Sequence, residues 1–398
     1  MGRVIRVSDR VAVFVVFALN GGVYGSWAPR VPALAEQVGA SPGALGLALL
    51  GGTAGLLLAA PLSGRVSERC GARAVMLAAT LLSCVVLSLT GLVGSVAWLA
   101  VALFGLGFAN GGLDVAMNIG GVSVERRTGK AIMPVFHAGF SFGGLVASAA
   151  AGLAAAQHWS PERHFLVAAI VTALVMLVVY QGLPRAVPRS ERAARPATTA
   201  PTQRPVLWLL AVVPLCSAMA EGASSEWSAL LLVTEHGTGQ GAAALAFTAF
   251  SLAMAVTRLG SAWVQRCLGA TRTLAIGAVV AAAGLLVAAL VPVAALAFAG
   301  FVLAGAGLAA AFPVALSLAG EAGKRADGSG GEREIAFVTT VAYTGFLAGP
   351  PLIGGIAQAT SLSASFVLVA VLAALIAPAA VGASRARHRE RTAAGLPV

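Results

Sequence analysis

Asn110, Asp114 and Asn118 are spaced i, i+4 and i+8. That spacing puts them on one face of an α-helix as a single polar stripe. The surrounding segment, 97–123, is otherwise mostly apolar. A carboxylate in such a setting is costly and usually faces a cavity or a partner. It can load and release a proton as its surroundings change, while flanking amides hydrogen-bond a small solute. The competing reading is a structural network tying this helix to a neighbour. His137 lies in the next apolar segment at a comparable depth. A His–carboxylate pair can relay protons; alternatively the ring packs and bonds a backbone carbonyl.

A second set of polar residues sits in the segment 206–234. Ser217, Glu221, Ser224, Ser225 and Ser228 approximate one face, with Glu221 near the middle as a second proton-site candidate. Glu226 precedes Trp227 nearer the far end. It either pairs with Arg30 as a gate or stands in water at the interface. Arg30 follows Pro29 and precedes Pro32, which predicts an irregular helix end. It could bind an anionic group, close a gate, or snorkel. Arg258 has the same alternatives, although its place about one turn from a helix end favours snorkelling. Asn20, Trp27, Trp227 and Tyr343 complete the candidate solute contacts, although Trp also belongs at membrane interfaces.

These residues need helices that cross a bilayer. The 398 residues are 58% apolar and 10% charged, with a mean hydropathy of +0.89. Too few charges are present to cover a soluble body of this length. Continuous apolar runs of about 20 residues match the hydrocarbon thickness, and they do not alternate as barrel strands do. Twelve helices are expected, at 10–33, 43–63, 74–94, 97–123, 131–156 and 164–183, then 206–234, 241–264, 272–291, 293–319, 335–360 and 363–383. Arg3, Arg6 and Arg10 before an apolar run resemble a signal peptide, but no cleavage site follows and the run continues as a span.

The net charge of +11 does not point to nucleic acid. With the N-terminus inside, 23 of the 26 Lys and Arg residues fall in inside segments and one, Arg163, falls outside. That bias predicts a multi-pass protein of the cytoplasmic membrane with both termini cytoplasmic. Cys70 and Cys267 fall in short basic loops on that side and Cys84 and Cys216 in apolar runs, so no disulfide framework is expected. The expected organisation is an N-terminal six-helix bundle over 1–183, a linker over 184–204, a C-terminal six-helix bundle over 205–383 and a cytoplasmic tail over 384–398. No P-loop, nucleophile elbow or metal-ligand cluster is evident, so neither an enzyme nor a cofactor is expected.

The halves repeat each other. His137-Ala-Gly139-Phe140-Ser-Phe-Gly143 parallels Tyr343-Thr-Gly345-Phe346-Leu-Ala-Gly349. Trp27 parallels Trp227, and Gly105-Leu-Gly107 parallels Gly305-Ala-Gly307. Gly64…Arg69-Cys70-Gly71-Ala72-Arg73 parallels Gly260…Arg266-Cys267-Leu-Gly269-Ala270. Two parallel six-helix halves are a transporter architecture.

At this point the chain resembles the major facilitator superfamily (MFS) over essentially its whole length. The family's loop motif between spans two and three reads Gly64-Arg65-Val66-Ser67-Glu68-Arg69-Cys70-Gly71-Ala72-Arg73-Ala74 here, with Glu for the usual Asp and Ala74 for the last base. Leu113-Asp114-Val115-Ala116-Met117-Asn118 and the Gly-rich run after His137 are similar to the fucose-permease-like branch and related uncharacterised bacterial permeases. The resemblance implies an all-α fold and a monomeric secondary active transporter working by alternating access, with proton coupling through Asp114, Glu221 and His137. It also implies that Glu68, Arg69 and Arg73 latch the cytoplasmic side, with Glu125 as a partner for either arginine. Gly345 to Gly355 with Pro350-Pro351 is similar to the Gly-Pro motif of drug:proton antiporters, but it sits in span eleven rather than five. The expected partners are a small-molecule substrate, protons and the lipid bilayer. A proton-driven drug or metabolite efflux pump is the alternative; a non-transporting membrane sensor lacks the extramembrane domain it would need.

Overall fold

The computed structural model describes residues 8–129, 132–184, 201–323 and 331–393. Most of the expected linker, 185–200, and the last tail residues, 394–398, lie outside the described residues, as does 324–330 of the loop between spans ten and eleven. Among the described residues all regular structure is helical. The first unit holds α1 (Asp9–Trp27), α2 (Val31–Gln37), α3 (Pro42–Cys70), α4 (Ala72–Thr90), α5 (Val96–Thr128), α6 (Met133–Ala156) and α7 (Pro161–Val179). Then follow α8 (Pro205–Thr234), α9 (Gln240–Leu268), α10 (Ala270–Leu290), α11 (Ala294–Leu308), α12 (Ala311–Gly323), α13 (Glu332–Ala359) and α14 (Leu362–Ala393). Twelve stretches are long and apolar enough to cross a membrane, α1 with α2 and α11 with α12 each counting as one.

Local chemistry sets the helix ends. Ser8, Ser41, Ser95 and Ser160 each cap a helix by accepting a backbone N–H three residues on. Pro42 and Pro161 follow two of these caps, where a missing N–H costs nothing. The break in the first span falls where Pro29 and Pro32 predict it: Ala28–Arg30 tightens into a 3₁₀ turn between α1 and α2.

The chain divides into two compact units, residues 1–192 with 237–248, and residues 193–236 with 249–398. The start of α9 therefore packs in the first unit. Polar and close-packed contacts hold it there. Gln240 donates to Glu36 at 3.0 Å, the hydroxyls of Ser148 and Thr248 lie 2.6 Å apart, and Gly241 fits directly against Ala156. The core of the first unit gathers Phe17, Met76, Leu113, Met117, Phe136 and Met176. In the second unit Val206, Leu207, Leu210 and Val338 form a corresponding cluster.

The segment expected as a loop between spans two and three is mostly helix. Gly64 to Arg69 form the last turns of α3, and the chain turns only at Gly71 (φ +83°). Gly269, 198 residues later, turns the chain between α9 and α10 with φ +78°. Both are positive-φ conformations that L side chains rarely adopt, which suits glycine.

Helix contacts also correct the register of the repeat. A Cβ on Gly107 would strike the Gly52 carbonyl, and one on Gly305 the Phe250 carbonyl. Gly107 and Gly305 are 198 apart, as are Gly52 and Phe250. The structural partner of Gly305 is therefore Gly107, not Gly105. Gly139 against Phe14 and Gly345 against Leu215 are a second matched pair of close approaches.

Candidate functional site

In the first unit α5 carries the polar stripe. Asp114 is exposed on the side of α5 that protein packing leaves open. Asn118 donates to the Asp114 carbonyl at 2.8 Å and lies 3.4 Å from its carboxylate Oδ1. Asn110 departs from the expected open stripe, because its Oδ1 accepts from Ser83 of α4 at 2.9 Å. One end of the stripe is thus structural and the other accessible. Asn20 of α1 is buried, and its amide points at the Met117 sulfur, 3.7 Å away, leaving Oδ1 without a partner among the described residues. His137 is exposed and stands edge-on to Phe17, centroids 5.1 Å apart.

Trp27 is nearly buried and edge-on to Tyr24 at 5.5 Å. Arg30 does not snorkel: it is 2% exposed and donates to the Trp159 carbonyl at 2.6 Å. Glu125, expected to meet Arg69 or Arg73, instead accepts the backbone N–H groups of Ile132 and Met133 at 2.7 and 2.9 Å. Its carboxylate closes the α5–α6 turn and caps α6, whose first turns need an acceptor. Arg73 lies over the Tyr180 ring at 4.1 Å. Glu68 and Arg69 are exposed on the last turn of α3.

In the second unit Arg258 meets a carboxylate and a backbone carbonyl. Arg258 does not snorkel; its Nη2 lies 3.7 Å from Glu221 Oε2, and its Nε donates to the Ala309 carbonyl at 3.3 Å. Pro313 explains the second contact. A proline has no N–H for the carbonyl four residues before it, so Ala309 loses its helical partner and the span breaks between α11 and α12. Arg258 fills the vacated acceptor. Glu221, Arg258 and the break therefore form one polar junction of α8, α9 and the α11–α12 span. The pair is long and partly exposed, which makes it easily broken.

Glu226 is different. One of its carboxylate oxygens is buried with no hydrogen-bond partner among the described residues. Trp227 is wholly buried, which favours packing over solute contact. Tyr343 of α13 is 41% exposed and has surface to offer a solute.

Sequence reasoning missed a charged cluster at the start of α8. Arg204 pairs with Glu390 at 2.7 Å, lies 3.8 Å from Glu334, and donates to the Ala322 carbonyl at 3.0 Å. Arg387 pairs with Glu321 at 2.8 Å. The segment 384–393, expected as a tail, is the continuing last turns of α14, and Arg387 and Glu390 project from it at helical spacing. The i, i+3 spacing was the available signal.

The fold is one of transporters, and comparison with known proteins gives the family. The model of the Major Facilitator Superfamily matches residues 13–330 and 227–396. An uncharacterized MFS-type transporter of Yersinia pestis is 33% identical over 384 residues, covering 95% of this chain and 97% of that protein. An uncharacterized transporter of Sinorhizobium fredii is 32% identical over 370 residues, covering 91% and 94%. Among solved structures, a bacterial homolog of the human lysosomal transporter Spinster superposes with a TM-score of 0.76, at 15% identity, over 95% of this chain and 96% of that one. The chain belongs to the Major Facilitator Superfamily. It is a multi-pass membrane protein of a family that transports small molecules.

Proposed function

We propose that the protein is a secondary active transporter of the cytoplasmic membrane, moving a small solute by alternating access coupled to protons, with both termini cytoplasmic. One observation carries the reading: Asp114 sits within a membrane span, exposed, with an amide of its own helix as neighbour and no cation beside it among the described residues. A carboxylate in that position is expensive and is retained where it handles a charge. Protonation removes the charge and lets the site pass through an apolar stage of the cycle.

Glu221 acts as a second proton site. A proton on Glu221 cancels its attraction for Arg258, freeing the guanidinium at the junction with the broken span. His137 assists on α6. Asn20, Trp27 and Asn118 in the first unit and Tyr343 in the second are each candidate solute contacts, with Asn110 holding α4 in place. Glu68, Arg69 and Arg73 gate the cytoplasmic side, and Arg30 and Glu226 serve gating toward the other face.

A thermal-shift screen of the purified protein against sugars, organic acids and antibiotics identifies the ligand, because a ligand stabilises the state it binds. Flux of that ligand in reconstituted vesicles then tests coupling. Faster flux under a pH gradient supports the reading. Equal flux with and without the gradient refutes it.

A further inference from the structure

The first unit contains a cavity of 590 Å³ between α1, α6 and α7 that none of the transport roles uses. It runs along α1 from Val15 to Ser26. At 1.5 Å per residue that is about 17 Å along the helix. Most of its wall is Val, Leu, Ala, Gly and Phe, including Phe142, Val146 and Val171, which are more than half exposed. The cavity therefore opens sideways at a surface that in a multi-pass protein meets hydrocarbon. Its polar groups, apart from Thr172, are confined to one end: Ser26, Gln157, Trp159 and His164.

That end is basic and under-satisfied. His164 is 5% exposed, lines the cavity, and its Nδ1 has no hydrogen-bond partner among the described residues. Arg30 stands behind that wall, 2% exposed; its Nη2 holds the carbonyl of the lining residue Trp159, while Nε and Nη1 have no partner among the described residues. Arg163 lies over the Trp159 ring at 4.1 Å. Buried N–H groups of a guanidinium are rarely left unpaired, and leaving them so is costly. Glu162, the acidic residue in the first turn of α7, packs its backbone on Gly91.

We propose that this cavity binds an anionic membrane phospholipid, its acyl chain along α1 and α6 and its phosphate at the end lined by Trp159 and His164, against the Arg30 guanidinium behind it. The shape asks for a long apolar body with one polar end. The unpartnered N–H groups ask for an anion, and Arg163 adds charge of the same sign. The bilayer supplies such a molecule directly through the lateral opening. Arg30 then has an occupant that satisfies it throughout the cycle, whatever its gating role.

Native mass spectrometry of the full-length protein, incubated with an equimolar mixture of phosphatidylglycerol, phosphatidylethanolamine and oleate, tests this. The wild type should retain phosphatidylglycerol over phosphatidylethanolamine by about tenfold, the value of one charge-assisted hydrogen bond. Arg30→Gln should bring the two phospholipids to near parity. Ala147→Leu with Ala168→Leu, which fills the cavity and leaves the charges intact, should lose both. Parity in the wild type, oleate retained in preference, or a phosphatidylglycerol preference that survives cavity filling would each overturn the proposal. The wild-type competition and the cavity-filling variant decide the matter even if Arg30→Gln does not fold.

Discussion

A carboxylate and an amide one helical turn apart, Asp114 and Asn118, form the simplest chemical unit in the molecule. Asn118 can stay bonded to the Asp114 backbone carbonyl whether or not the carboxylate carries a proton, so the side chain can change charge without disturbing the helix. Asp114→Asn should fold with an unchanged melting temperature and lose the dependence of flux on a pH gradient. A pH-stimulated flux in that variant would be incompatible with the assignment. Glu221 differs because Arg258 is already beside it at 3.7 Å. Glu221→Gln should therefore weaken coupling and leave stability within about 1 kcal/mol, since partly exposed pairs contribute little; denaturation and flux measurements on the one variant check both. The contact of Asp114 with Asn118 was legible from the i, i+4 spacing alone. The roles of Asn110 and Glu125 were not, because Ser83 and the α6 N-terminus meet them only once α4, α5 and α6 are packed.

At the scale of the element, the informative feature is a proline acting at a distance. Pro313 frees the Ala309 carbonyl, and a guanidinium 51 positions earlier in the chain uses it. Nothing near Arg258 in the sequence signals this, which is why the snorkelling reading was natural. Pro313→Ala would supply the missing N–H. It should raise stability by up to about 3 kcal/mol, the cost of a helix-interior proline, displace Arg258 from the carbonyl, and lower transport. Thermal unfolding together with flux reads both effects, and a destabilised variant with normal flux would contradict the account. Close helix approach provides a second test. Gly107→Leu and Gly305→Leu press side chains onto the carbonyls of Gly52 and Phe250, and each should cost about 1–3 kcal/mol. Leu at Gly105 should cost less, since a Cβ there meets only the side chain of Val86 at 3.3 Å. The repeat was visible in the sequence, but Gly-x-Gly matches itself at two registers, and only the packing partners choose between them.

For the whole molecule, composition carried the reading furthest. Spans, breaks at prolines and the basic short connections all follow from the cost of placing polar groups in hydrocarbon. The four cysteines are free, and Cys70 and Cys267 are exposed at the ends of α3 and α9. They serve as native orientation probes. With the N-terminus inside, a membrane-impermeant maleimide should label both in inverted vesicles and neither in intact cells. Labelling from outside would reverse the topology.

The central claim is that solute and proton are linked through Asp114. Calorimetric titration of the identified solute in two buffers of different ionisation enthalpy measures this linkage directly, because protons taken up or released on binding appear as a buffer-dependent heat. The wild type should show such a heat and Asp114→Asn should not. An identical buffer dependence in both proteins, or none in the wild type, would contradict the account.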